Sequence, residues 1–379
     1  MTARQDFEDR LAATLRDLRG AGLLRQMRLP NGIDLVSNDY LGLADHPHLA
    51  AAMRAALEGL PAGSGGSRLL RGHHEVFDRL EERLAAFSGT EAALLFGSGY
   101  AANIGLLQAI VSADDLLVSD ERNHASLIDG IRLTKARTVV YPHQDLQALD
   151  TALRAPRSGR AIVITESVFS MDGDLTPLRE LSDIADRRGA LLVVDEAHAT
   201  GLYGARGSGR VEELGLRDRV VATVHTGGKS LGSGGAWVAG SRALRDVMVN
   251  RARSFIFSTA PLPVLAAALG AGLDVLQQEP WRRVDVHRKS AWLRDALSRQ
   301  NIHAGGDSPI VPVIAGSNEA ALALQSGLMA AGFDVRAIRP PSVPPGTARL
   351  RVTVRYPVGD DDLERFACEV AKLMNLRAA

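Results

Sequence analysis

A single cysteine, Cys368, occurs in the 379 residues of this chain. One thiol excludes an internal disulfide and a thiolate zinc site, so no metal centre is expected and a reducing cytoplasm is the natural location. Net charge is missing as well, because 44 Lys and Arg balance 44 Asp and Glu. A binder of nucleic acid needs a cationic surface to neutralise phosphates, and a peripheral membrane protein needs a basic face, so neither partner is expected. No long hydrophobic run is present. The longest uncharged stretch, 254–273, is crowded in its first half by Ser254, Ser258, Thr259, Pro261 and Pro263, and reads as a turn feeding a buried helix rather than a membrane span. The N-terminus has no apolar signal region; Phe7, Leu11, Leu15 and Leu18 instead mark an amphipathic helix. Repeats and low-complexity segments are also absent. With 46% hydrophobic and 23% charged residues, the composition is that of a globular chain.

Short apolar runs do alternate with longer amphipathic stretches. AALLF (92–96), DLLVSD (115–120), TVVYPH (138–143), RAIVITES (160–167), ALLVVDE (190–196), VVATVHT (220–226) and GAWVAG (235–240) read as buried strands. Helical patterns lie between them, such as 74–89, ending at Gly89, and 175–189, with Pro177 suited to a first turn and Gly189 to a stop. Strands buried on both faces and joined by helices predict an α/β fold, a large doubly wound, mostly parallel sheet. Beyond about residue 275 the pattern changes to helices alternating with strands such as IVPVIAG and the strictly alternating ARLRVTVR (348–355). That predicts a smaller C-terminal α+β domain with one solvated sheet face. The expected divisions are an N-terminal arm at 1–42, a large domain at 43–277 and a small domain at 278–379.

Open α/β sheets bind ligands beyond the carboxyl ends of their strands. The polar residues there are Asp195 and His198 after one run, Glu166 and Ser170 after another, and His225, Thr226 and Lys229 after a third. Lysine forms a Schiff base with an aldehyde, a carboxylate holds a pyridine nitrogen protonated, and hydroxyls with backbone N–H groups cradle a phosphate. Together they specify pyridoxal 5′-phosphate (PLP). The loop GSGYAAN (97–103) fits, since Gly97 and Gly99 sit between a strand and an apolar helix whose N-terminus favours an anion.

A nucleotide-hydrolase reading competes with this one, because LLVVDEAH is like the acidic strand of a DEAH-type helicase and TGGKS like the end of a phosphate-binding loop. The window TVHTGGKS starts with Thr223 where that loop needs glycine, and it follows the acidic strand instead of preceding it.

The motifs SNDYLGL (37–43), GSGGSRLLRG (63–72), NHAS (123–126), VFSMDGD (168–174), VVDEAHATG (193–201), HTGGKS (225–230), FSTAPLP (257–263) and AIRPPSVPPGTARLR (337–351) cover nearly the whole chain. In them the sequence resembles the α-oxoamine synthase family of fold-type I PLP transferases. The resemblance implies that Lys229 bonds the cofactor aldehyde, that Asp195 pairs with the pyridine nitrogen, that His198 and Ser170 contact the phenolic oxygen, and that His124 stacks on the ring. It implies further that Ser98, Gly99, Tyr100 and Thr226 lie near the phosphate. Ser258 or Thr259 would reach the phosphate of a partner subunit, making the active unit a homodimer with composite sites. Arg351 would take the amino-acid carboxylate, Asn38 would lie on the substrate side, and Arg25 would lie near the acyl chain. The implied reaction condenses L-alanine with a pimeloyl thioester, on CoA or a carrier protein, with loss of carbon dioxide, in the biotin pathway; glycine with acetyl-CoA is the alternative pair. One departure is Phe77, which stands where family members often carry histidine. His124 has an ordinary alternative as the cap of ASLIDGIRL, and Arg351 as part of a solvated strand face.

Overall fold

The computed structural model describes residues 2–378. Its strands among those residues are β1 (Ile33–Asp34), β2 (Ala92–Phe96), β3 (Leu116–Asp120), β4 (Arg137–Tyr141), β5 (Ala161–Glu166), β6 (Ala190–Asp195), β7 (Ala222–Thr226), β8 (Ala236–Gly240), β9 (Ile310–Gly316), β10 (Phe333–Asp334), β11 (Ala337–Ile338) and β12 (Ala348–Thr353). Each of the seven expected apolar runs forms a strand of one sheet, in the order β2-β8-β7-β6-β5-β3-β4. Neighbours from β7 to β4 pair in parallel, and β8 runs antiparallel to both β2 and β7.

Side chains alternate between the two faces, as the period of a strand requires. Leu94, Phe96, Leu117, Ile162, Ile164, Val193, Val224 and Val238 form one buried cluster with Leu106 and Leu107 of the helix Gly99–Ile110. The opposite face splits in two. Leu95 and Trp237 pack with the helices Glu75–Ser88 and Pro263–Gln278, and Val118, Val163 and Val194 pack with the helix Leu178–Arg187. Burial on both faces is why these strands read as continuous apolar runs. The run at 138–143 departs from the expectation: β4 is the edge strand, and Val140 is 60% exposed. The stretch 254–273 does enter a buried helix, Pro263–Gln278. The N-terminal helix forms at Ala3–Gly20, but Phe7, Leu11, Leu15 and Leu18 are all exposed and no residue of it is buried.

Strands β9, β12 and β11 make a second, antiparallel sheet covered by Trp281–Ser298, Asn318–Ala330 and the last helix. Its other face is not solvated, which corrects the sequence expectation. All of β12 is buried, Arg349 and Arg351 included. Alternating arginines resemble a wet sheet face, but here they meet acidic and carbonyl groups of the first hundred residues and of the loop after β5. Arg349 pairs with Asp172, and Arg355 bonds Asp34 at 2.6 Å and Asp39 at 3.1 Å. The segment around Asn38 is threaded against this sheet. Strand β1 pairs with β10, Thr353 N–H donates to the Leu35 carbonyl, and Tyr356 N–H donates to that of Tyr40.

The loop 168–174 is clamped from both sides. Asp172 also pairs with Arg122 at 2.9 Å, and His143 bridges Asp120 (2.9 Å) and Asp174 (2.6 Å). Burial opposes the charge on His143, but the hydrogen bonds it donates to both carboxylates prevail and lift its pKa to about 9. A histidine raised in the folded state stabilises fully below its unfolded pKa of about 6.5, and that contribution is lost as pH rises through the folded value. The stability advantage of the native chain over His143→Gln, measured by chemical denaturation, should therefore shrink steadily from about pH 6.5 to about pH 9. An advantage independent of pH over that window would contradict the clamp.

Candidate functional site

Asp195 ends β6, the middle strand of the large sheet, and is buried. Its Oδ1 accepts the Ala197 N–H at 2.8 Å and its Oδ2 accepts Asn103 Nδ2 at 2.7 Å. Asn103 lies one turn into the helix Gly99–Ile110 and also donates to Ser126 at 2.9 Å. Ser98 caps that helix, its hydroxyl accepting from Ala101 N–H. The first N–H groups of a helix have no intrahelical partner and are suited to an anion. A side chain at Gly99 would put Cβ 2.8 Å from Thr226 Cγ2, so the bare backbone lets the helix start close against the end of β7. Tyr100 is exposed, bonds Asp129, and sits edge-on to His124 with ring centroids 6.4 Å apart.

Lys229 lies in the turn between β7 and β8. Its Nζ is 2.9 Å from His198 Nε2, and His198 Nδ1 is 2.7 Å from the Tyr40 hydroxyl. Burial lowers the Lys229 pKa to about 8, against the pull of Asp195 and Glu166, while Arg351 lowers it further. His198 is held neutral, its pKa driven far down by burial and by the charges of Lys229 and Arg351. Glu166, at the end of β5, is fully buried; burial and the charge on Asp195 raise its pKa well above the carboxylate range. It accepts the His124 N–H at 2.6 Å. His124 does cap the helix Ala125–Arg132, taking Ser126 N–H on Nδ1 at 3.2 Å; part of the residue is open to solvent, and its pKa is lowered by the burial of the rest, with Asp195 opposing and Lys229 adding.

Arg351 is buried across the site. It donates to Asn38 Oδ1 at 2.9 Å, to Thr353 at 2.9 Å and to the Ser170 carbonyl. Three of five guanidinium N–H groups are thereby engaged. Ser170 thus enters through its carbonyl. His225 stands apart: it stacks on Trp237 on the far face of the sheet, 4.9 Å between centroids, and burial drops its pKa to about 3. Thr259 and Ser258 are exposed beside Gly97 and make no side-chain bond to another part of the described chain. Arg25 lies in a cavity of about 430 Å³ with Arg28, Arg336 and Arg339. Phe77 is fully buried under the guanidinium of Arg68, 5.0 Å from its ring centroid, where Arg68 pairs with Glu81.

Tyr40, Asn103 and Ser126 were not among the residues expected here. Asn103 is a lone buried amide on an apolar helix, a position that demands a polar partner. Tyr40 had no local signal beyond its motif.

These residues fit PLP. A buried carboxylate with no cation bonded to it among the described residues, a lysine amine depressed to about 8, an imidazole and a helix N-terminus closed on Thr226 meet at the carboxyl end of the sheet. They do not fit a nucleotide loop, because turns rather than a helix follow Lys229 and Ser230. Among the described residues no group of His, Cys, Asp and Glu has the spacing to hold a metal, and no helix is long and apolar enough to cross a membrane.

The architecture is that of fold-type I PLP transferases, and the chain belongs to the aminotransferase class I and II family, whose model matches residues 30–369, within the α-oxoamine synthases. It is 43% identical over 380 residues to an 8-amino-7-oxononanoate synthase of Geobacter sulfurreducens, covering 96% of this chain and 97% of that one. Among solved structures, a serine palmitoyltransferase from S. paucimobilis with PLP bound superposes with a TM-score of 0.91 at 28% identity, over 99% of both chains. An 8-amino-7-oxononanoate synthase from Francisella tularensis gives 0.81 at 25% identity, over 92% of this chain and 99% of that one. PLP is the cofactor.

Only a neutral amine attacks an aldehyde. Covalent uptake of PLP by the cofactor-free chain, followed by absorbance, should therefore accelerate with pH to a plateau, with its midpoint near pH 8. A midpoint near 10, the value of an ordinary lysine, would contradict the depressed amine.

Proposed function

We propose that this enzyme condenses L-alanine with a pimeloyl thioester, carried by CoA or a carrier protein, and releases carbon dioxide and thiol to give 8-amino-7-oxononanoate in biotin synthesis. The observation that carries the reading is the placement of Lys229, Asp195 and Arg351 around the carboxyl end of the large sheet, together with the relatives of that name. Bound there, PLP supplies an electron sink for electrons released at the amino-acid Cα.

In this reading Asp195 would hold the positive charge at the ring nitrogen, His124 would lie against the ring, and His198 and Ser170 would lie toward the phenolic oxygen. Ser98, Gly99, Tyr100 and Thr226 would hold the phosphate. Arg351, oriented by Asn38 and Thr353, takes the alanine carboxylate. Lys229 Nζ, neutral above about pH 8, removes the Cα proton. The alanine Cα then adds to the thioester carbonyl, the thiol leaves, the resulting β-keto acid loses carbon dioxide, and Lys229 returns a proton to Cα. Residues of all three segments, 1–42, 43–277 and 278–379, take part.

A cationic cavity supports the pimeloyl chain, which ends in a second carboxylate. Arg336 pairs with Asp334, but Arg25 meets only Ser342, at 3.2 Å, and Arg339 a backbone carbonyl. Burial and then the charge of Arg25 lower the Arg339 pKa, as expected of neighbouring cations. The cavity wall at Ala337 lies on β11, beside the strand that carries Arg351. A second copy of the chain completes the site in this reading. Leu70 in the loop 63–72 and Phe257 in the loop 257–263 are exposed to 84% and 71%, and Thr259, two residues after Phe257, is exposed and could reach across. The single cysteine supports a cytoplasmic location.

Incubation of the PLP-loaded chain with L-alanine and pimeloyl-CoA should give a product with the mass of 8-amino-7-oxononanoate, formed much faster than any product of glycine and acetyl-CoA. Arg351→Lys should raise the KM for alanine roughly 10- to 100-fold, since hydrogen bonds to a charged group contribute about 1.5–3 kcal/mol and lysine cannot reproduce the paired geometry. Faster turnover of glycine with acetyl-CoA would select a 2-amino-3-ketobutyrate CoA ligase instead.

A further inference from the structure

Tyr40 is 0% exposed, and its hydroxyl lies 2.7 Å from His198 Nδ1, while the other nitrogen of that ring lies 2.9 Å from Lys229 Nζ. A neutral imidazole carries one N–H, and the partner on one nitrogen decides which nitrogen carries it. The Arg351 guanidinium, which has donors only, lies beside the phenol oxygen. A guanidinium cannot accept the phenol proton, and the one acceptor within hydrogen-bond distance of that hydroxyl among the described residues is Nδ1, so the proton goes there. We propose that Tyr40 is a positioning residue whose hydroxyl fixes His198 as the Nε2–H tautomer, so that this ring presents a donor to Lys229 and to the phenolic oxygen of the cofactor. The assignment rests on the PLP reading above only for the second of those acceptors.

The protonation states agree with the geometry. Burial raises the Tyr40 phenol above its ordinary value, with Arg351 opposing, so the hydroxyl keeps its proton. His198 is neutral, for the reasons given above. A run of donors therefore leads from Arg351 through Tyr40 and His198 to the lysine amine. With Nδ1 protonated instead, Nε2 would offer a lone pair to Lys229 and favour the ammonium form, which cannot attack an aldehyde. Tyr40 thus acts through His198 without touching the reacting atoms, and it joins the arginine meant for the carboxylate to the lysine meant for the cofactor.

The test is a two-bond nitrogen–hydrogen correlation spectrum of the full chain labelled with 15N-histidine, recorded near pH 7 without and with PLP, the His198 signals being those lost in His198→Gln. The expected result is an unprotonated Nδ1 and a protonated Nε2 in both samples. Tyr40→Phe should give a mixture of tautomers, lower kcat roughly 10- to 100-fold and leave the KM for alanine within about twofold. It should also shift the pH dependence of the bound-PLP absorbance. A proton on Nδ1 in the unsubstituted chain overturns the proposal, and that measurement does not depend on Tyr40→Phe folding. An unchanged tautomer in a folded Tyr40→Phe overturns it equally. Failure of PLP to bind would remove the proposed reaction while leaving the cofactor-free spectrum to decide the role of Tyr40.

Discussion

A carboxylate buried at the middle of a sheet is expensive unless its oxygens are bonded, and Asp195 is the point on which the rest of this site depends. Its two oxygens are met by a backbone N–H and an amide N–H, both neutral donors, with no cation bonded to it among the described residues. Such a group is held ready for a positive charge. Its charge adds to the states of its neighbours: burial drives Glu166 toward the neutral acid and Asp195 pushes it further, and Lys229 and His124 each feel its attraction against the cost of burial. Asn103, which orients it, belongs to the helix whose start forms the anion site. One helix thereby fixes the distance between the carboxylate and the expected phosphate position.

The second constraint is the polar seam between the two sheets. Arg349, Arg351 and Arg355 project from one strand and its continuation into the loop after β5 and the threaded segment around Asn38. Asp172 is shared between Arg122 on one side and Arg349 on the other. The same residue type plays different parts along the seam: Arg355 pairs with two carboxylates, whereas Arg351 meets only neutral acceptors among the described residues. In the proposed reaction, the arginine with no carboxylate of its own, beside two that have them, is the one that would bind the substrate carboxylate.

The large sheet was legible in the sequence because doubly covered strands are short apolar runs, and each run stops at a polar residue where the chain leaves the core. Asp195, His198 and Lys229 could be placed by that logic alone. The small sheet was misjudged at 348–355, since alternation reports that one face is polar and cannot say whether water or a buried acid lies opposite. Tyr40 and Asn103 were hidden for a related reason: each is polar within an apolar motif, and its partner lies 158 or 92 residues away. The roles given to Thr259 and Arg25 came from family resemblance, because a partner subunit and an acyl chain leave no mark on a single sequence.

The central claim is that Lys229 is the group at which PLP becomes covalently attached. The chain has only three other lysines, Lys135, Lys289 and Lys372. Lys289 bonds the Tyr356 carbonyl and pairs with Asp285, and Lys372 pairs with Glu369 on the last helix. Borohydride reduction of the PLP-loaded protein followed by peptide mapping tests the claim directly. The account predicts a pyridoxyl group on Lys229 alone, in one equivalent per chain; a label on Lys135, Lys289 or Lys372 with Lys229 unmodified would contradict it.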